Sequence, residues 1–448
     1  MKALVSAFSD QYLRKVWLAM TRQGLGASLW RRPRRADLVV LLGDLTDRGR
    51  WYDSYTDWNQ LQLRWMSLFR NLRVMRYSLH SPLRPDVHDG SWPALIVPGN
   101  HDIGIPAYET GKPSTLNELA AGWFQHDYAP LVDDDDYVLK TNGTASWNAR
   151  IPISVNHRST THELVLLNAM DLVTMQPLGH GPIENWDSAK ERALTTTKMI
   201  DLLGSVRPPA GQDVPRILFS HVPFERRANE HLCDVPSRSA VHGVRRESQR
   251  ARVPGGDILQ GGDLERTYQN LVHINVSDYV LDTIQPAVIF SGDDHDHCEA
   301  IHRGYRKNAS GTVVTGFQAT DIPELTVKSM SMVEGVKRPG YAWLQLQMNG
   351  DVPSVDYTPC LLPNQIALWL QVYLPLFVLT LAFVLFAPAF IRSNQSLLPI
   401  HQNQLPTKRR NLNLFVRTSS MGAFLRRLGR DIGHIAIFPL LLWLFLQR

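Results

Sequence analysis

Short apolar runs, each ending in a polar cluster, punctuate the N-terminal part of the chain. Asp37–Leu42 runs into Gly43-Asp44-Leu45-Thr46-Asp47-Arg48-Gly49, and Ala94–Val97 into Pro98-Gly99-Asn100-His101-Asp102. Leu164–Leu167 leads to Asn168 and Asp171, and Ile217–Phe219 to Ser220-His221. Ala287–Phe290 opens onto Ser291-Gly-Asp-Asp-His-Asp-His-Cys-Glu299. Such brief β-branched and aliphatic runs predict buried strands. Between them, Trp58–Leu72 sets Leu61, Trp65, Leu68, Phe69 and Leu72 at helical spacing and predicts a helix. The alternation points to an α/β fold, in which ligand-type residues at the C-terminal ends of buried strands build the site. The acidic run Asp133–Asp136 reads as a solvated loop.

The C-terminal pattern is different. Leu361–Ile391 contains no charged residue and exceeds the roughly 20 residues that cross a bilayer, so 361–391 is expected to be a transmembrane segment. Pro375 and Pro388 are kinks that a membrane helix tolerates. Residues 432–448, with the apolar run Ile432–Leu446, are expected to form a second, short membrane segment. Between them, 392–431 holds eight Lys or Arg against Asp431, a charge of +7 within a chain total of +5. The remainder is therefore about −2, which excludes a basic nucleic-acid binder. The positive-inside rule makes 392–431 a cytoplasmic loop and puts 1–360 on the lumenal or extracellular face. The sequons at Asn142, Asn275 and Asn308 agree with that direction, while Asn394 is expected to stay unmodified on the cytoplasmic side. Met1–Asp10 carries one Lys and an apolar stretch too short for a signal, so sequence upstream of Met1 is expected to complete the N-terminus.

Composition narrows the chemistry. With 448 residues, 44% hydrophobic and 20% charged, the chain is neither disordered nor fibrous. Three cysteines allow one bridge at most and no CxxC pair occurs, which excludes a disulfide scaffold and a thiolate zinc site. Neither a nucleophile elbow nor a Walker A string is present. What remains is Asp, Asn and His at strand ends, donors suited to borderline-hard divalent cations. A carboxylate can bridge two such ions, and a two-metal site is a direct route to phosphate-ester hydrolysis.

The ordered set GDxxD, GNHD, a strand-end His and Gly-Asp-Asp-His resembles the calcineurin-like metallophosphoesterase superfamily. The string 291–299, with Tyr268-Gln-Asn-Leu271, Leu325–Met332 and Arg338-Pro-Gly-Tyr341, resembles its fungal membrane-bound branch over about residues 10–391. Members of that branch remodel GPI anchors by removing ethanolamine phosphate from the mannose core in the endoplasmic reticulum and Golgi. The resemblance implies a four-layer α/β (α+β) fold, a mixed β-sandwich flanked by helices over residues 1–360, followed by transmembrane helices. It implies two divalent metal ions, manganese foremost with zinc or iron as alternatives. It also implies a GPI-anchored protein or GPI glycolipid as substrate, with the catalytic domain lumenal on a multi-pass membrane protein.

By resemblance, Asp44 bridges both metals, Asn100, His221 and Asp293 complete one shell, and His295 binds the other metal. Asp293 stands where the wider superfamily has the first His of its G-H-x-H, a substitution usual in this branch. His297 offers a competing His-x-His register with His295 but aligns as a flanking residue. His101 matches the residue beside the scissile ester and Asp47 its orienting partner. Arg48 is either a phosphate contact or a solvated surface residue. The branch's first motif, Asp-x-Gln, has no clean counterpart. Lys2–Ser9 followed by Asp10-Gln11 imitates a strand ending in a ligand, yet Asp10–Lys15 resembles the helix downstream of that motif. Two alternatives stay open: a metallophosphatase acting on phosphoprotein or nucleotide, and a catalytically impaired membrane protein lacking the first motif. The segment Arg226–Arg266, rich in Arg, Gly and Pro, is a substrate loop or a variable surface loop.

Overall fold

The computed structural model describes residues 2–23, 36–46, 54–74, 91–103, 122–124, 148–155, 160–175, 183–206, 214–226, 271–306, 313–314, 318, 320–331 and 338–383. The first element, α1 (Lys2–Gln23), decides between the two readings of this segment: Lys2–Ser9 is helical, no strand leads to Asp10, and Asp10–Lys15 is helical as its resemblance implied. Asp10 instead makes a bidentate pair with Arg64, both oxygens 2.9 Å from guanidinium nitrogens. It is therefore a surface partner of the next helix and not a metal ligand.

After β1 (Val39–Leu41), α2 (Tyr55–Leu68) is capped by Ser54, whose hydroxyl accepts the Asp57 N–H at 3.3 Å. Its buried stripe is Trp58, Gln62, Trp65 and Leu68. The helix stops short of the expected Leu72 because Asn71 takes a left-handed φ of 66° and turns the chain into β2 (Leu72–Val74). With β3 (Trp92–Ile96), these strands form a parallel sheet in the order β1-β3-β2.

A second, mixed sheet is built from β4 (Ala149–Ile153), β5 (His162–Leu166), β6 (Arg216–Phe219), β7 (Val288–Ser291), β8 (Cys298–His302) and β10 (Ile322–Thr326). Its order is β4-β5-β6-β7-β10-β8, parallel from β5 through β10 and antiparallel at both ends. Parallel neighbours need crossovers. Helices α4 (Ala169–Thr174), α5 (Trp186–Arg192) and α6 (Leu194–Ser205) lie between β5 and β6, and α7 (Ile274–Ile284) lies between β6 and β7. The single helical turn α3 (Asn100–Ile103) follows β3. A third sheet pairs the long hairpin β11 (Gly340–Asn349) and β12 (Val352–Leu361) with β9 (Val313–Val314). One apolar core serves all three sheets, with Leu95, Ile96, Val165, Leu218, Ile289, Leu325 and Val355 at 0–1% exposure. Each such side chain contributes about 1.5–3 kcal/mol relative to exposure.

Residues 1–365 form one compact unit and 366–448 another. In the latter, the described residues 366–383 are helical, with a π-helical turn at Trp369–Tyr373. Their apolar side chains are largely exposed, Leu370, Phe377, Leu379 and Phe383 among them. No helix among the described residues is long and apolar enough to cross a membrane. The basic segment 392–431, the run 432–448, the sequons other than Asn275, and all of the Arg-rich segment except Arg226 lie outside the described residues.

Candidate metal centre

Every candidate ligand sits just past the C-terminal end of a parallel strand. Leu41 pairs with Ile96 at the ends of β1 and β3, so Asp44 and Asn100 emerge side by side. Phe219 pairs with Phe290 across β6 and β7, and His221, Asp293 and His295 follow. Two glycines allow the approach. Gly43 takes a φ of +92°, and a Cβ there would meet the His221 ring, while a Cβ on Gly99 would sit on the Asp44 carboxylate. Asp44, Asp293 and His295 themselves hold left-handed φ values of 55°, 58° and 61°. Non-glycine residues adopt this region at a cost and gather at functional sites.

The donors converge on one point. His221 Nε2 lies 3.3 Å from Asp44 Oδ1, 3.7 Å from Asp293 Oδ1 and 3.4 Å from Asn100 Oδ1. One ligand atom from each of Asp44, His221 and Asp293 falls within 4.8 Å of the others. On its far side, His221 Nδ1 donates to the Leu42 carbonyl at 2.5 Å, which turns Nε2 toward the carboxylates and ties β6 to β1. That is the orientation a metal-ligating imidazole takes.

Electrostatics agree with geometry. Burial works against a charged His221, but the carboxylates of Asp44 and Asp293 and the Leu42 carbonyl outweigh it and push the imidazole up to about 10. Burial opposes ionisation of Asp44 too, yet the His221 charge and hydrogen bonds from His221 and His101 hold it far below the usual carboxylate range. A charged His221 already answers the two carboxylates, so it would ligate a divalent cation only as the neutral imidazole, its proton displaced by the ion. An oxygen-rich set with one imidazole suits such ions, so Asp44, Asn100, His221 and Asp293 fit a metal.

His101 donates its backbone N–H to Asp44 Oδ1 at 2.9 Å, and its ring lies near enough for its charge to bear on that carboxylate. His295 follows Asp293 in the same loop and is partly exposed, but it is not among the three ligand groups that converge. His297 is buried with Nε2 3.2 Å from Glu299 Oε1. Asp47 and Arg48 lie outside the described residues.

One residue of the centre escaped the sequence reading. Asp102, fully buried, accepts the N–H groups of Leu45 at 2.9 Å, Thr46 at 3.2 Å and Gly99 at 3.0 Å. It thereby fastens the Asp44 loop to the Asn100 loop. Burial, and then the charge of Asp44, push its carboxyl up to about 7. Its signal was present as the last letter of Gly99-Asn-His-Asp102, an acid to which the sequence reading gave no role.

Comparison with known proteins reaches the same chemistry. The family model of the calcineurin-like phosphoesterases matches residues 11–297. Cell division control protein 1 of Saccharomyces cerevisiae is 27% identical over 332 residues, covering 71% of this chain. Those residues are 47% of that protein, so the chain spans about half the length of the relative it matches. With the strand-end donors converging as described and the family match covering more than half of its length, the chain belongs to the calcineurin-like phosphoesterases, metal-dependent hydrolases of phosphate esters.

Proposed function

We propose that this protein is a phosphodiesterase that removes ethanolamine phosphate from the mannose core of GPI anchors in the endoplasmic reticulum and Golgi. The observation that carries the reading is the convergence of Asp44, Asn100 and Asp293 on His221 Nε2. Divalent cations held there supply Lewis acidity and a water of lowered pKa. The chain's own residues do the rest. Asp44 and Asp293 place negative charge around the cations, and His221 is fixed by Leu42. His101, anchored through its backbone to Asp44, is set to give a proton to the leaving sugar oxygen. The substrate rests on the resemblance of 291–299 and its companion strings to the GPI-remodelling branch, and on the likeness to a protein named for cell division control.

A lumenal domain with a membrane-embedded C-terminus is part of the same proposal. The charge-free stretch 361–391 and the +7 segment after it support it. So does the disulfide at Cys298, since such bonds persist in oxidising compartments. A catalytically impaired protein is the second reading, favoured by the pairing of Asp10 with Arg64, which leaves the first motif unfilled among the described residues.

The test is His101→Ala in cells lacking the wild-type chain. Released GPI glycans are expected to retain ethanolamine phosphate on mannose by mass spectrometry, with hydrolysis by purified protein reduced about 10²–10⁴-fold. Glycans identical to wild type would sink the substrate, and a wild-type chain without hydrolytic activity would favour the impaired reading.

A further inference from the structure

The loop after β7 packs five ligand-type side chains into five consecutive positions: Asp293, Asp294, His295, Asp296 and His297. Only two of them belong in the expected metal shells, and the other three have other partners. Asp294 Oδ2 accepts from Arg226 Nη1 at 2.8 Å, Asp296 Oδ1 is ion-paired with Lys328, and His297 meets Glu299. The four side chains of the two acid–base pairs are 1–3% exposed.

The origin of the two cations is informative. In the second sheet, β7 lies between β6 and β10, and all three strands are parallel. Arg226 belongs to the segment after β6, and Lys328 stands two residues past the end of β10. The loop is therefore gripped from both flanking strands, and Ser329 N–H adds a 2.9 Å bond to the His295 carbonyl. The anchored positions, 294 and 296, alternate with 293 and 295, whose φ values are left-handed. A carboxylate left loose beside a divalent cation competes for it, since hard cations take any oxygen donor within reach. A buried carboxylate held by a buried cation does not compete.

Resting on the metal reading above, we infer that Arg226 and Lys328 are positioning residues that withhold Asp294 and Asp296 from the cations, so that the loop presents Asp293 and His295 alone. The pairs set which side chains of the string become ligands.

The test uses the purified full chain and Mn²⁺ as the probe, with affinity and stoichiometry from calorimetry and elemental analysis, and folding from circular dichroism. Lys328→Met releases Asp296 as an additional oxygen donor and is expected to change the affinity for one Mn²⁺ by about 10–100-fold, the size of effect found when groups around a metal site are altered. The neutral double variant Asp296→Asn/Lys328→Met removes the competitor as well and is expected to return to within about threefold of wild type. A purely structural pair would lower stability in the single variant while leaving the affinity of folded protein unmoved, and that result overturns the inference. So does a folded double variant that keeps the altered affinity. Should Lys328→Met not fold, the double variant decides alone. If neither folds, Arg226→Met and Asp294→Asn/Arg226→Met put the same question, and failure of all four to fold assigns the pairs to the fold and overturns the inference. No substrate enters, so an error in the GPI assignment leaves this result untouched. A wild-type chain that binds no Mn²⁺ overturns the metal reading and the inference with it.

Discussion

The two halves of the centre are held in different ways. The half built on β1 and β3 is fixed through the backbone: Asp102 accepts three main-chain N–H groups, and Gly43 and Gly99 let the loops touch. The half built on β7 is fixed largely through side chains, with Arg226 from the segment after β6 and Lys328 from just past β10, besides one backbone bond from Ser329 to His295. A backbone clamp is indifferent to side-chain identity along the loop it holds, so the Asp44 loop needs only one acid and two glycines in the right places. Side-chain clamps act on particular residues, which suits a loop that carries more ligand-type groups than a metal site can use. Both loops carry their ligand at positive φ, and in both the cost of that conformation is met by what surrounds it.

The largest test of this comparison asks whether the halves share one ligand. Asp44 faces the donors of both sheets, so Asp44→Asn is expected to remove metal binding altogether and bring hydrolysis to background. Asp293→Asn is expected to leave at least one ion bound. Elemental analysis of the two purified variants decides it, and equal metal loss in both would erase the distinction between bridging and one-sided ligands.

A smaller effect is expected from the backbone clamp itself. Asp102→Ala leaves three N–H groups without their acceptor, that of Gly99 buried and those of Leu45 and Thr46 partly so, and is expected to destabilise the protein by about 2–4 kcal/mol, with the buried donor alone costing about 1–3 kcal/mol. Asp102→Asn is expected to cost less, because its amide oxygen still serves Leu45 and Thr46 while its nitrogen faces the Gly99 N–H. Urea unfolding of metal-free protein measures both. Equal losses would show that the Leu45 and Thr46 contacts carry nothing and that the Gly99 contact carries the whole effect.

The smallest effect comes from a third strand end, which has a carboxylate but no metal role. After β5, Asp171 accepts from the hydroxyls of Thr195 at 3.2 Å and Thr196 at 2.6 Å. Burial pushes its carboxyl up from 3.8 to about 6, against those hydrogen bonds and one from Asn168. A carboxyl raised on folding is neutral in both states below the unfolded pKa and charged in both above the folded one. Its contribution to stability is therefore fully present below about pH 4 and lost as pH rises through about 6. Asp171→Asn is expected to flatten this part of the stability profile, read as melting temperature across pH 4–7. An unchanged slope would assign the titration elsewhere.

Much of this was legible in the chain itself. The runs before Asp44, Asn100, His221 and Asp293 became β1, β3, β6 and β7 with their ends within a residue or two of expectation, because buried parallel strands need only a short apolar run and a polar stop. The helix over Trp58–Leu68 followed from its spacing, whereas its end did not. Leu72 fits the helical stripe equally well, and only the left-handed turn at Asn71 sends it into a strand. Lys2–Ser9 left two readings open for a related reason, since eight mixed residues before an acid satisfy a strand pattern as readily as the first turns of a helix.

By itself, then, the sequence determined which residue types stand at which strand ends and that the chemistry is metal-assisted phosphate-ester hydrolysis. Residue type and local periodicity are properties of short windows, and the apolar runs and ligand strings are short-window signals. Only the tertiary structure decided which members of a crowded string are tied away from the centre. Arg226 is 68 residues from Asp294, and Lys328 is 32 from Asp296. Those separations are spanned by sheet order and crossovers, which place distant charges together in a buried setting where an ion pair excludes other partners. No window of the sequence contains both ends of such a pair, so the choice between ligand and anchor is made only when the strands assemble.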